Sequence, residues 1–499
     1  MTMPWKIMIG LAMGVVVLTL GMAAFVAYLM YPAAKSPSPP SFPAASNRAE
    51  ANRQDLAYLK SALHQMDRSF SASKWAAFEK QVDELSHQAD QLNPAAFEMG
   101  VAKAVSFSRN GHTNLLGAAR GLTLNSYPLR FYWFADGLYV VKADAAHADL
   151  LGAKVLKVGG RDVGEFVSLA GHYVGGSPSL ARELAPYFME SPAALHAIGI
   201  QESPSDGDVT LQSAGGGMLE RHLTADPGPV TGAAPEKSVL TLKFDPRELY
   251  WPRRELSPLP LPAKAAYPQP SADNRAWSHV LDQHPVPFTL RNPNQFYWST
   301  YLAGGQVLFV QINVTMDQPG AEHLKVFLKR VLAEANAKKP RYAIVDLRWN
   351  PGGSYQHTAD FARHLPSVIP FDGKIFILTS GNTFSAGLVT TARLKYFAGA
   401  RGEIVGEPVG DYPQFWAEAG ARIVLPNSGL RIGYATGYHD WEHDCSLTQI
   451  LTCYPGNFTL GVAAGSLQPT IAASWSFADY LTGRDTAVET IMQTIASAK

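Results

Sequence analysis

Residues 342–353 read YAIVDLRWNPGG and residues 374–387 read KIFILTSGNTFSAG. Each opens on an unbroken apolar run, YAIV in one and IFIL in the other, about the length of a single strand. A strand that is apolar on both faces belongs inside a sheet covered by helices on either side. Working outward, QVLFVQINV (306–314) reads as a further strand and EHLKVFLKRVLAEANA (322–337) as an amphipathic helix. SYQHTADFARHL (354–365) reads as a helix, a third helix runs from Ser385 towards Phe397, and EIVGEP (403–408) follows as a strand. Strands alternating with helices predict a layered α/β core over 285–499.

Upstream the pattern changes. In DLAYLKSALHQM (55–66), Leu56, Leu59, Leu63 and Met66 fall at helical spacing, and WAAFEKQVDELSHQADQL (75–92) repeats the pattern, giving a helical unit over 50–127. Ser69, Ser71 and Ser73 supply cap-type residues between the two. RFYWFADGLYVVKAD (130–144), GAKVLKVGGRDV (152–163) and DGDVTLQSAGGG (206–217) are strand-like, so 128–225 reads as a β-rich unit. Residues 226–284 carry Pro252, Pro258, Pro260, Pro262, Pro268 and Pro270 and read as a linker or a belt laid over a domain surface.

At the start of the chain, Ile7 to Tyr31 carries no charge, more than the roughly 20 residues a helix needs to cross a bilayer. Residues 1–31 are therefore expected to be an uncleaved membrane anchor, with a cleaved secretory signal as the alternative, and the Pro/Ser-rich 32–49 a spacer. The rest of the chain is then expected outside the cytoplasm, periplasmic or at the cell surface. The two cysteines, Cys445 and Cys453, can form a disulfide there. The 499 residues are 46% hydrophobic and 17% charged, and Lys+Arg and Asp+Glu both number 42. That balance describes a folded chain and gives no reason to expect a nucleic-acid partner.

Three segments carry candidate chemistry. Asn350-Pro351-Gly352-Gly353 ends a buried strand in a turn whose N–H groups stand clear of side chains, which suits a developing oxyanion. Ser385 lies where a buried strand passes through a polar turn into a helix, as either an N-cap or a nucleophile. His112, in RNGHTNLLG (109–117), is of the type that takes a proton from such a serine. His439 and His443 stand four apart with acids between them, but no third metal ligand is identifiable, and His357 falls on a helix where packing explains it. No metal or cofactor is expected.

In combination and order, Gly-His-Thr, GAKVLKVGG, DLRWNPGG, TFSAG and IVGEPVGD resemble the C-terminal processing (tail-specific) and tricorn-type serine peptidases. The resemblance spans roughly 50–499. It implies a crotonase/ClpP-like catalytic core at 285–499, a PDZ-like domain at 128–225 that engages substrate C-termini, and a peptide or protein substrate. It further implies Ser385 as nucleophile, with the N–H groups of Gly352 or Gly353 and of Ala386 as the oxyanion hole. The chain departs from the tail-specific pattern in one respect. The segment GEPVGDYPQ (406–414) lacks the lysine of a Ser–Lys dyad, and Lys395 sits ten residues along the helix from Ser385, about 15 Å away. The tricorn-like arrangement implies His112 as base and a downstream acid, for which Glu442 is the candidate and Asp440 or Glu407 the alternatives. A non-catalytic peptide or ligand binder on the same scaffold is the competing expectation.

Overall fold

The computed structural model describes residues 13–14, 16–17, 19–21, 40–115, 124–226, 256–259, 276–418, 422–449, 452–454, 457 and 461–497. Three helices come first: α1 (Arg48–Met66), α2 (Ala72–His87) and α3 (Pro94–Ser106). Asn47 and Asn93 cap α1 and α3 by accepting from Glu50 and Ala96 N–H, which explains where these helices start. Next comes a seven-stranded antiparallel sheet of β1 (Leu129–Phe134), β2 (Gly137–Asp144), β3 (Lys154–Val158), β4 (Arg161–Asp162), β5 (Asp206–Gln212), β6 (Met218–Thr224) and β7 (Trp277–His279).

The structure adds to one reading of this region and narrows another. The β-rich 128–225 unit also carries α4 (Glu165–Val174), α5 (Pro178–Met189) and α6 (Pro192–Ala197), between β4 and β5. Their apolar spacing is broken by Gly171, Pro186 and Pro192, which hid the helical period. The stretch 226–284 is not linker to its end, since β7 pairs with β2 through Trp277–Asp144 and Ser278–Ala143.

The C-terminal half builds the predicted core. Strands β8 (Tyr297–Leu302), β9 (Val307–Ile312), β10 (Tyr342–Asp346), β11 (Ile375–Thr379) and β12 (Gly402–Gly406) alternate with helices α7 (Leu324–Lys338), α8 (Ala359–Val368) and α9 (Ala386–Ala398) from β9 onward. Short strands β13 (Gln414–Ala417), β14 (Ile423–Val424), β15 (Arg431–Ile432), β16 (Gly437–Asp440) and β17 (Ile471–Ala472) follow, then α10 (Phe477–Leu481) and α11 (Thr486–Ser497). One six-stranded sheet runs β17-β12-β11-β10-β9-β8, parallel except for the antiparallel edge strand β8.

Strand periodicity explains why both faces are apolar. Leu308, Val310, Ala343, Val345, Ile375 and Ile377 pack with α7, α8 and α9 on one face. Their sequence neighbours Val307, Phe309, Tyr342, Ile344, Phe376 and Leu378 pack with Val488, Ile491 and Ile495 of α11 on the other. Truncating one such side chain to alanine costs about 2–5 kcal/mol.

The expected membrane span falls mostly outside the described residues. Among those that are described, no helix is long and apolar enough to cross a membrane. Cys445 and Cys453 are joined in a disulfide.

Candidate active site

The sheet delivers two turns to one place. Beyond β10, Asn350 does the local organising. Its amide donates to the carbonyl of Ile312 (2.9 Å), its Oδ1 accepts the N–H of Gly352 (3.0 Å), and its carbonyl accepts the N–H of Phe384 (2.9 Å). Thr383 Oγ donates to the carbonyl of Leu347 (2.9 Å), and Ser380 Oγ donates to that of Arg348. The NPGG and TSGNTFSAG turns are therefore laced together before any side chain reaches the cleft. Arg348 anchors the first turn from below. It is buried and donates to both Asp346 (3.0 and 2.8 Å) and Asp485 (3.0 and 2.8 Å). A paired guanidinium of this kind keeps its charge in the interior.

Ser385 occupies the residue before α9 with φ 51° and ψ −121°, and its side chain makes no capping hydrogen bond. An N-cap serine adopts extended backbone and accepts an N–H from the first turn. Ser385 does neither, so the cap explanation fails. A non-glycine residue at positive φ costs on the order of 1–3 kcal/mol and persists only where its surroundings impose it.

Gly352 shows what imposes it. A Cβ there would lie 2.8 Å from Ser385 Cβ and 3.1 Å from Ser385 Oγ, so only glycine lets the two turns close together. Gly353, at φ 126°, is equally constrained: a Cβ would stand 2.6 Å from the carbonyl oxygen of Thr315. The N–H of Gly352 is already engaged by Asn350. The N–H groups of Gly353 and Ala386 have no hydrogen-bond partner among the described residues, which leaves these two as the free donors beside Ser385.

His112 comes from the turn after α3 and is brought to the same place. Its ring stacks on Phe384, the residue before Ser385 (centroids 4.5 Å apart), and on Phe415 of β13 (5.2 Å). Both ring nitrogens are shielded from solvent without a hydrogen bond, although the side chain as a whole retains 17% of its exposure. No hydrogen bond joins His112 to Ser385; hydrogen bonds in a catalytic site often tighten only when substrate binds. Burial pushes the ring down to about 3, with His439 and Arg422 adding to the effect, so it is neutral above that pH.

The carboxylate beside that ring is Asp411, whose Oδ2 lies 3.4 Å from His112 Nδ1. Among the described residues it is the only one within 4 Å of His112. It is buried, accepts the N–H of Tyr412 (2.9 Å) and is pushed well above the carboxylate range by desolvation. Sequence reasoning passed over it although it stands inside GEPVGDYPQ, the segment searched for a lysine. Its one sequence signal is an acid following a Pro-x-Gly turn just beyond a core strand.

The other candidates lie elsewhere in this region. Glu442 accepts from the Gln414 amide (2.9 Å), and Asp440 accepts the N–H groups of Glu442 and His443 (3.1 and 2.9 Å). Glu407 approaches Arg182 at 3.9 Å. None of the three contacts His112. Lys395 donates to the carbonyl of Ser466, away from Ser385. His357 lies 3.9 Å from Asp317, and His439 is buried with Glu418 at 3.2 Å. Among the described residues no group of three or more His, Cys, Asp or Glu could hold a metal ion.

Comparison with solved structures shows the fold. The chain is similar to mature CPAF complexed with lactacystin, with a TM-score of 0.53 and 13% identity over 90% of this chain and 98% of that one. It is similar to mature CPAF alone, with a TM-score of 0.52 and 14% identity over 90% and 97%. A photosystem II D1 C-terminal processing protease aligns with a TM-score of 0.35 and 12% identity over 84% and 92%, too slight a likeness to argue from. No family model matches the chain, and no curated protein matches it.

Proposed function

We propose that the chain is a serine-type peptidase in which Ser385 attacks the carbonyl of a peptide or protein substrate. The observation that carries this is the strained, uncapped backbone of Ser385, held against Gly352 in the turn that also bears the unpaired N–H of Gly353. In this reading His112 takes the Ser385 proton, and Asp411, 3.4 Å from Nδ1, orients the ring. The Gly353 and Ala386 N–H groups hold the oxyanion, each worth roughly 10²–10³ in rate. Protonated His112 then returns the proton to the leaving amine, and water releases the acyl group from Ser385. The assignment of acid differs from the sequence expectation of Glu442, which bonds to Gln414 instead.

The Cys445–Cys453 disulfide fits an extracytoplasmic setting, as the apolar 7–31 stretch does. Engagement of substrate through its C-terminus by the 128–225 unit belongs to the same reading. A fluorophosphonate probe tests it: it labels the wild-type protein, and both Ser385→Ala and His112→Ala lose labelling while keeping the wild-type circular dichroism. Labelling that survives in folded Ser385→Ala removes Ser385 as nucleophile. A wild-type protein that never labels favours a binding protein on this scaffold.

A further inference from the structure

We infer that Glu183, on helix α5 of the preceding unit, is a positioning residue that holds the Ser385 turn in register with His112 and Asp411. The inference rests on the peptidase reading above and goes beyond it.

The amino-terminal half of α5 touches all three segments that supply the site. At its start, Ser177 Oγ accepts the N–H of Leu180 as a cap and donates to the carbonyl of Gly410 (2.7 Å), the residue before Asp411. Leu180 packs against the Gly111 backbone, where a Cβ would lie 3.3 Å from Leu180 Cδ2 and 2.7 Å from the Phe384 ring. That places it beside His112. One turn on, Glu183 Oε2 accepts the side-chain amide of Asn382 at 2.7 Å, three residues before Ser385.

The fit leaves no room for a side chain. A Cβ on Gly381 would stand 2.6 Å from Glu183 Cγ and 2.7 Å from the carbonyl of Ser179, and one on Gly410 would strike the Gly381 carbonyl. Glu183 and Asn382 are each 4% exposed. A buried carboxyl in such a place is an expensive way to fill space, and a bond made to the turn that carries the nucleophile is a reason for it.

Among the described residues, the charged and titratable groups around Glu183 include Arg182 on its own helix, Glu407 beyond β12 and the Tyr132 hydroxyl of β1. Burial raises the Glu183 carboxyl to about 7, Glu407 adds to the rise, and Arg182 and the Asn382 bond oppose it. Above that pH the ionised carboxylate is repelled by Glu407, and this repulsion, acting against the Asn382 bond that ionisation strengthens, loosens the α5 contact. His112 is neutral throughout this range. A fall in Ser385 reactivity near neutrality that vanishes in Glu183→Gln would therefore report Glu183, and neither the base nor the raised Asp411 carboxyl beside it.

The test is the pseudo-first-order rate of fluorophosphonate labelling of the full chain from pH 5.5 to 9, with a thermal melt for each protein. Wild type is expected to label more slowly as the pH rises, with one inflection near 7. Glu183→Gln, which keeps an acceptor for Asn382 and cannot ionise, is expected to lose the inflection. Glu183→Ala is expected to label about 10²-fold more slowly, the scale of a nucleophile displaced by about 1 Å. Asn382→Ala cuts the same link from the other side and stands in if Glu183→Ala does not fold. A Glu183→Gln profile that superimposes on wild type, or a folded alanine variant that labels at the wild-type rate, overturns the positioning role alone. A wild type that never labels overturns the peptidase reading and this inference with it.

Discussion

His112 and Asp411 illustrate how burial sets the chemistry of single residues. In the unfolded chain at pH 5 the imidazole is protonated and the carboxyl ionised. Folding buries both, and desolvation favours a neutral ring and a protonated carboxyl. Wherever the folded ring is neutral and the folded carboxyl still protonated, each state binds one proton at the pair, so there the two together contribute little pH dependence of stability. Single substitutions uncover the opposing halves. In Asp411→Asn only the ring remains, and the unfolded state binds the extra proton. Stability then falls as the pH drops below 6.5, by about 1.4 kcal/mol per pH unit, levelling off near 3 where the folded ring titrates. In His112→Gln only the raised carboxyl remains, so stability is greater in acid and is lost as the pH rises through the folded value. Urea midpoints at pH 4.5, 5.5 and 6.5 should give slopes of opposite sign for the two variants; parallel slopes would show that the groups are not buried as a pair.

At the scale of elements, the Gly-His-Thr turn is held by a carboxylate outside the site. Buried Asp67, just past the end of α1, accepts the N–H and hydroxyl of Ser69 (both 2.7 Å), the Thr113 hydroxyl (2.7 Å) and the Ala435 N–H (2.8 Å). One side chain thus ties α1, the His112 turn and the segment between β15 and β16. Asp67→Ala leaves those donors unsatisfied and should cost roughly 3 kcal/mol. It should also slow Ser385 labelling more than tenfold, because the His112 turn is released. Asp67→Asn keeps one acceptor oxygen and should fall between; an alanine variant that melts and labels as wild type would refute the tie. None of this could be read in advance. β10 and β11 were legible because their side chains are apolar on both faces, and the two glycine turns were legible because Gly352-Gly353 and Gly381 follow directly on those strands. Ser385 was legible as a choice between cap and nucleophile, and only its backbone angles decided between them. Asp411, Asp67 and Glu183 were not legible, since a single acid acquires its role from partners far along the chain: His112 lies 299 residues from Asp411 and Asn382 lies 199 from Glu183.

The same long reach governs the whole molecule. The sequence divides the chain into successive units, yet the cores do not respect the divisions. The helical cluster of Leu56, Leu59, Leu63, Phe78, Val82 and Val105 is completed by Ile423, Leu425, Leu430, Ile432 and Tyr434 from the β14–β15 hairpin. The sheet of the second unit packs Phe134 and Val141 against Trp475, Phe477 and Tyr480. Chain that follows β12 therefore returns to close both earlier units. Polar groups follow the same rule: Asp55 of α1 is buried and accepts the N–H groups of Asn427 and Ser428 (both 2.8 Å), as Asp67 accepts that of Ala435. A fragment spanning 40–127 would lose five of the nineteen buried residues of its apolar cluster and leave two carboxylates without their distant donors. Burying five large side chains is worth on the order of 10 kcal/mol, comparable with the entire stability of a small domain. The fragment alone should show helical circular dichroism well below that of its share in the intact chain, and a urea transition without a baseline. The intact chain should lose the helical unit and the α/β core in one transition, and an Ile432→Ala variant should shift that transition as a whole. A fragment that unfolds cooperatively by itself, or an intact chain in which Ile432→Ala splits off an early helical transition, would show that the His112 turn rests on an autonomous unit and not on the core that carries Ser385.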